Sequence, residues 1–425
     1  MASGEVISTA QFIKASGRYA RTGLGRINLY ALFAEHARDL INPQGRAGII
    51  VPTGIATDDT TKVFFGHLVE SSSLATLFDF ENMGIFESVH KSYKFCLMTL
   101  SGSPVARGDL AFFLHDVAEL QGDTGRRFQL SPEDFALINP NTRTCPTFRT
   151  RADADLTREM YRRVPVLINE VTGENPWGVR FMQGLFNMTS DSQLFRDNPG
   201  PGRVPLYEGK MFDFYNHRFA SAVRNSANAQ RQSQQQFSAP DELGDPKFQV
   251  TPLYYVDNQV VNYKLDNKSQ YLLAFKDITS PTNERTFVCA ILPRSGTGNK
   301  APLIFSEKHT DHCSLLTANL SSLVFDYSAR QKIGGITMNF YLVKQFPVLP
   351  PDRYDAADRA FIVPRVVELT YTAWDVQAFA RDMGMDGAPF RWDEGRRAVM
   401  RAELDAWYAM KYGLTRKQLR YVLDP

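Results

Sequence analysis

Cysteine is scarce in this sequence. Cys96, Cys145, Cys289 and Cys313 stand far apart, with no Cys-x-x-Cys pair and no Cys/His ligand spacing. They read as reduced thiols of a cytoplasmic protein, which excludes a disulfide-stapled secreted domain. Long apolar runs are missing too: no stretch of about 18 apolar residues is available to span a bilayer, and no secretory signal opens the chain. A soluble protein without membrane attachment is expected. Net charge is almost absent, since 48 Lys and Arg against 46 Asp and Glu leave +2. Bulk attraction to nucleic acid is therefore excluded, and any such surface must be a local patch. There is no nucleophile-elbow motif and no Asp…Glu-x-Lys endonuclease pattern in a strand context. His36, His309 and His312 lack companion ligands, so no metal site is expected.

What is present is length enough for two or three domains, and one unusual stretch. Residues 205–219, PLYEGKMFDFYNHRF, hold Lys210, His217, Arg218 and five aromatic rings. Charges cannot be buried unpaired without a cost on the order of 3 to 5 kcal/mol, so they are expected to face something. Rings that stack on bases and cations that meet phosphate explain the mixture. A half-buried edge segment with snorkelling charges explains it equally.

Taken in order, residues 26–41 carry Leu29, Phe33, Ala37, Leu40 and Ile41 at helical spacing, ended by Asn42-Pro43. The apolar run 47–51 fits a strand buried on both faces of a parallel sheet. Asp58 is placed to cap a helix through Glu70, and strands follow at 74–80 and 92–100, close enough for an antiparallel pair. Prolines loosen the pattern over 107–203, apart from a helix at 152–168 with early acids and late arginines. Residues 225–240 are glutamine-rich without apolar period and read as a flexible loop. Dense β signals follow in TPLYYV, YLLAF, TFVCAIL and NFYLV. Helices are expected at 369–383 and 392–412, stopped by Gly384 and Gly413, with another from 414 capped by Thr415.

The stretch 205–219 resembles the LPLYEGKM…HRF signature of gamma-class N6-adenine DNA methyltransferases, where it joins the catalytic domain to a target-recognition domain. These belong to type IIG restriction-modification and bacteriophage-exclusion systems. The likeness continues, in the same order, through FKDITSPTNERTFVCAILP (275–293), residues 316–351 and LTYTAWDVQAFARDMG (369–384). It implies an α/β plus α+β chain: the C-terminal part of a class I methyltransferase doubly wound sheet (1–120), a connecting region (121–203), a mostly β target-recognition domain (204–352) and a helical tail (353–425).

The resemblance also implies double-stranded DNA as partner and S-adenosylmethionine as cofactor of the complete enzyme. The family's Asn/Asp-Pro-Pro-Tyr/Phe tetrapeptide is not among these residues, where Asn139-Pro140, Asn175-Pro176 and Asn198-Pro199 are lone pairs of the turn-forming kind. A glycine-rich cofactor loop after a strand is not found either. The chain alone is thus expected to bind no cofactor and transfer no methyl group, a catalytic N-terminal half being supplied by the same gene or a separate subunit. Phe86, in NMGIFESVHKSYKF (82–95), matches the ring that stacks on the extruded adenine, with His90 and Tyr93 as alternatives across the turn. DNA-contact candidates are Lys210, Arg218, Asn283, Arg285, Arg330 and Lys332, with Glu284 as a potential internal partner for the arginines. The rival expectation is a non-catalytic, split or decayed remnant that docks on a partner subunit through an exposed sheet edge.

Overall fold

The computed structural model describes residues 2–25, 27–91, 93–224, 233–265, 269–280, 282–306, 311–333 and 335–423. It divides into two compact units, Met1–Glu174 and Asn175–Pro425. The connector read at 121–203 contributes to both of them. Each is a mixture of helices and small sheets.

The first unit is built on a five-stranded sheet in the order β1-β3-β2-β4-β5. Its strands are β1 (Arg46–Pro52), β2 (Leu74–Glu81), β3 (Lys94–Ser101), β4 (Gly108–Leu114) and β5 (Phe128–Leu130). Among these, β2 and β4 run parallel and every other neighbour is antiparallel. β4 is buried at nearly every position, because both faces of the sheet are covered where it lies. On one face Phe64, Phe65 and Leu68 of the helix Lys62–Glu70 join Leu77, Met98, Phe112 and Phe135 in the main core. A smaller cluster of Phe80, Ala111 and Leu114 packs with Phe95.

Three sequence expectations are corrected here. β1 is not a fully buried parallel strand: it lies at the sheet edge, antiparallel to β3, with Ile50 exposed. The helix expected at 26–41 forms as Leu29–Leu40, but it buries Ala31, Leu32, Ala34 and Glu35 and turns Leu29, Phe33 and Leu40 to solvent. Glu35 is held inside by Thr22, whose hydroxyl and backbone N–H donate to Oε2, and by the Arg21 guanidinium at 3.2 Å. Asp58 makes no side-chain cap bond.

Among its described residues the second unit holds three small sheets. One is β10-β7-β13, with β7 at Arg203–Tyr207, β10 at Tyr255–Asp257 and β13 at Gly296–Thr297. Another is β12-β11-β14-β6, with β6 at Val179–Met182, β11 at Tyr271–Phe275, β12 at Cys289–Pro293 and β14 at Leu303–Ser306. The third is a two-stranded antiparallel ribbon of β8 (Ala220–Arg224) and β9 (Ser233–Phe237). So residues 225–240, read as a loop, contain the strand Ser233–Phe237 and end where the short helix Pro240–Gly244 begins; residues 225–232 lie outside the described residues, as does His309. NFYLV is also corrected, since Phe340–Val343 is a single helical turn.

Helices complete this unit: His312–Ser321, Leu323–Arg330, Ala356–Thr370, Glu394–Lys411 and Arg416–Leu423 pack on one another. The expected helix at 369–383 is corrected to the end of Ala356–Thr370, a short 3-10 turn and the helix Gln377–Asp382. Asp355 and Asp358 form a capping box that starts the long helix despite Pro364 inside it. Thr415 caps the last helix as expected, its hydroxyl accepting from the Gln418 N–H at 3.2 Å.

Candidate nucleic-acid interface

Residues 205–219 turn out to be the hub of the second unit. Tyr207, Met211, Phe212 and Tyr215 are buried, and Tyr215 sits at φ +58°, a conformation a tyrosine rarely adopts. Arg397, itself buried, donates from Nη2 to the Tyr215 carbonyl at 3.2 Å and from Nη1 to Leu369 at 2.6 Å. Burial lowers its pKa to about 9.

Arg218 does not face DNA, which corrects its reading as a contact. Its exposure is 0%, and its guanidinium donates to the carbonyls of Leu243, Asp245, Phe248 and Thr372 at 2.7 to 3.4 Å. A buried guanidinium with backbone acceptors on several sides is a clamp. His217 works beside it, its Nε2 lying 2.8 Å from Asp375 Oδ1. Burial pushes the Asp375 carboxyl up, but His217 and Arg218 more than offset this and leave it below its usual range.

A depressed carboxyl contributes stability above its unfolded pKa, near 3.9, and loses it as pH falls through the folded value. Asp375→Asn is expected to cost about 3 kcal/mol at neutral pH, as for a broken buried pair. Urea melts of the two proteins should start to converge only as pH falls below about 4, and meet once it has passed the lower folded value.

Lys210 is half-buried at the foot of the ribbon. Its Nζ donates to Ser233 Oγ of β9 at 2.5 Å and lies 3.1 Å from Glu208 Oε2. Gln235 returns the contact, its Nε2 donating to the Lys210 carbonyl at 2.7 Å. One face of the ribbon is thereby fastened, with Ala220 and Ala222 in the core. The strand alternation leaves Gln234 and Gln236 on the other face, exposed and without a side-chain partner among the described residues. Arg224 ends β8, paired with Asp197, and both are largely exposed.

The other sequence candidates gather around the 280–286 loop. Asp326, buried, accepts from the backbone N–H of Thr286 at 2.7 Å and of Phe287 at 2.8 Å, and from Arg330 Nε at 2.9 Å. Arg330 also donates to the carbonyls of Asn283 and Glu284. Arg285 lies 3.5 Å from Asp405, not against Glu284. These two arginines brace the loop from within and leave the Asn283 side chain exposed at its tip. Lys332 is corrected as well: it is 5% exposed, donates to the Gln345 carbonyl, and is driven well below its ordinary pKa by burial. Its neighbour Gly334 lies outside the described residues.

In the first unit Phe86 is 40% exposed on the loop between β2 and β3. Asn82 shapes that loop by accepting from the Phe86 N–H and donating to the Phe86 and Val89 carbonyls. The ring packs on Phe95 with the two planes near perpendicular and the centroids 4.9 Å apart. Met83, Ile85, Val89 and Tyr93 are exposed with it, making an apolar tip. Behind the loop, Asp79 is buried and accepts from Thr53 Oγ1 and from the Phe113 N–H at 3.0 Å. Burial raises its pKa despite those donors. Phe113 holds φ +57° with Lys94 3.7 Å and Arg149 4.3 Å from its ring centre.

No group of three or more His, Cys, Asp or Glu among the described residues is placed to hold a metal, and no described helix is long and apolar enough to cross a membrane. Burial raises all four thiols, to about 12 for Cys289 and Cys313.

Comparison with known proteins gives structural likeness without sequence likeness. No family model and no curated protein matches the chain. Among solved structures, the type IIL restriction-modification enzyme MmeI in complex with DNA is similar over 94% of this chain and 53% of that one, with 11% identity and a TM-score of 0.43. The type IIG restriction endonuclease BpuSI is similar over 92% and 50%, with 13% identity and a TM-score of 0.29. The chain spans about half the length of each.

Sequence reasoning missed Gln234 and Gln236, hidden in a low-complexity run. The available signal was the SQQQF segment ending in an aromatic residue. It missed the Asp79–Phe113 cluster entirely, because no local pattern announces a left-handed phenylalanine.

Proposed function

We propose that the second unit reads a short duplex DNA site, as the target-recognition part of an S-adenosylmethionine-dependent N6-adenine methyltransferase of a restriction-modification or phage-defence system. The observation that carries the reading is the β8–β9 ribbon with its glutamine face turned outward. A two-stranded ribbon fits the major groove, about 12 Å wide, and a glutamine amide pairs bidentately with adenine N6 and N7. Arg224 at the ribbon end and Asn283 on its separate loop supply further polar contacts. In the same reading the partly exposed Phe86 ring stacks on an adenine swung out of the duplex. The family resemblance places the cofactor and the methyl-transfer motif in a catalytic half that this chain would work with.

The test is selection of random duplexes by the purified chain across a salt series. Enrichment of one adenine-containing site that persists as salt rises is the expected result. Binding that vanishes with salt and enriches nothing would sink the reading.

A second reading, docking on a partner subunit, has its own observation. The open edge of β1 lies in the same unit as the solvent-facing Leu29, Phe33, Leu40 and Ile50, and an unpaired edge is a template for another strand.

A further inference from the structure

The first unit carries a cleft of about 450 Å³ that none of the preceding roles uses. Four arginines line it: Arg107 just before β4, Arg127 just before β5, and Arg151 and Arg158 from the helix Arg151–Arg163. We propose that this cleft binds a phosphoryl group. The proposal is independent of the ribbon and of the reading of the second unit.

The helix supplies its share by spacing. Positions 151, 155 and 158 fall at i, i+4 and i+7, so Arg151, Asp155 and Arg158 share one face. Thr150 and Asp153 form the capping box that starts the helix there. Arg151 Nε donates to the Arg127 carbonyl at 3.3 Å, tying the helix to the strand opposite. The walls are therefore preset.

Three carboxylates share the cleft, and their exposure decides what they do. Asp109 is mostly buried and stays on Arg127, making a neutral floor. Asp123, 2.8 Å from Arg151, is 75% exposed, and Asp155, on Arg158, is 52% exposed. Pairs this wet contribute little and exchange with water easily. A phosphoryl oxygen can therefore take their place. Arg107 has no hydrogen-bonded or ion-paired carboxylate among the described residues, whereas Arg158, 16% exposed, keeps a second and buried partner in Asp134, 3.2 Å from its Nη1. Once Asp123 and Asp155 swing out, the Arg107 and Arg151 guanidinium groups face the cleft uncompensated, beside Arg127 held by Asp109 and Arg158 held by the buried Asp134. Guanidinium forks bind phosphoryl oxygens in pairs, which lysines or single charges do not.

The same chemistry is offered by a small phosphate ester and by the backbone of a nucleic acid. The experiment titrates the full chain with pyrophosphate by calorimetry, and separately measures the salt dependence of binding to a 20-bp duplex. Arg107→Ala/Arg151→Ala is expected to weaken pyrophosphate about tenfold or more, as loss of charge-assisted hydrogen bonds does. Asp123→Asn/Asp155→Asn keeps the shape of both side chains, guards against misfolding as the explanation, and is expected to tighten binding by up to about fivefold. If the arginine variant also lowers the duplex salt slope by about 1 to 2, the natural source is a nucleic-acid backbone; an unchanged slope assigns a free phosphate ester. Absence of pyrophosphate binding by the wild-type chain, or binding indifferent to both double variants, overturns the proposal.

Discussion

Arg218→Ala is expected to destabilise the second unit by about 4 kcal/mol, the scale of a broken buried charge cluster. The guanidinium joins carbonyls of the 243–248 segment to that of Thr372, and its bonds to Leu243 and Thr372 are buried. Each carbonyl left without a donor costs about 1 to 3 kcal/mol. Asp375 loses its second cation at the same time. Arg218→Lys should recover only a minority of the loss, because an ammonium cannot present a planar fork to acceptors on several sides. Urea denaturation followed by far-UV dichroism measures both. A loss below about 1 kcal/mol for the alanine variant would mean that the clamp does not hold the unit together.

Gln234→Ala and Gln236→Ala are expected to act on specificity and leave the fold alone. Both side chains are exposed and make no bond that the ribbon needs. A bidentate amide contact discriminates its base by about 1 to 3 kcal/mol, so each variant should relax selection about tenfold or more at one position of the bound site. The slope of affinity against salt should not move, since no phosphate contact is lost. Gln235→Ala serves as the contrast: its amide bonds to the Lys210 carbonyl, so its loss should loosen the ribbon and weaken all sequences together. Uniform weakening by Gln234→Ala and Gln236→Ala would remove the glutamines from base reading. A wild-type chain that selects no site would instead overturn the recognition function itself.

The residues that decide these outcomes were unevenly legible. Phe86 is reached from the resemblance alone; the structure places it 40% exposed on a loop that Asn82 shapes. Lys210, Arg218, Arg285, Arg330 and Lys332 looked alike as cations in one dimension, yet two are buried, two brace a loop from within and one fastens a ribbon. The apolar stripe Leu29, Phe33 and Leu40 had the spacing of a core face and points outward. Periodicity reports that one face differs from the other. It does not report which face finds a neighbour.

What the sequence determined by itself is the local structure. The helix Glu394–Lys411, the capped helix Arg416–Leu423 and the strands β11 and β12 follow from spacing, caps and β-branched runs that act within a few residues. What only the tertiary structure decided is the direction of the charges and the edges of the sheets. Arg218 meets carbonyls 25, 27 and 154 residues away, and β1 becomes an edge because of the order in which distant strands pair. Burial of a charge is settled by whether acceptors from elsewhere in the chain converge on it, and that convergence exists only once the chain has folded.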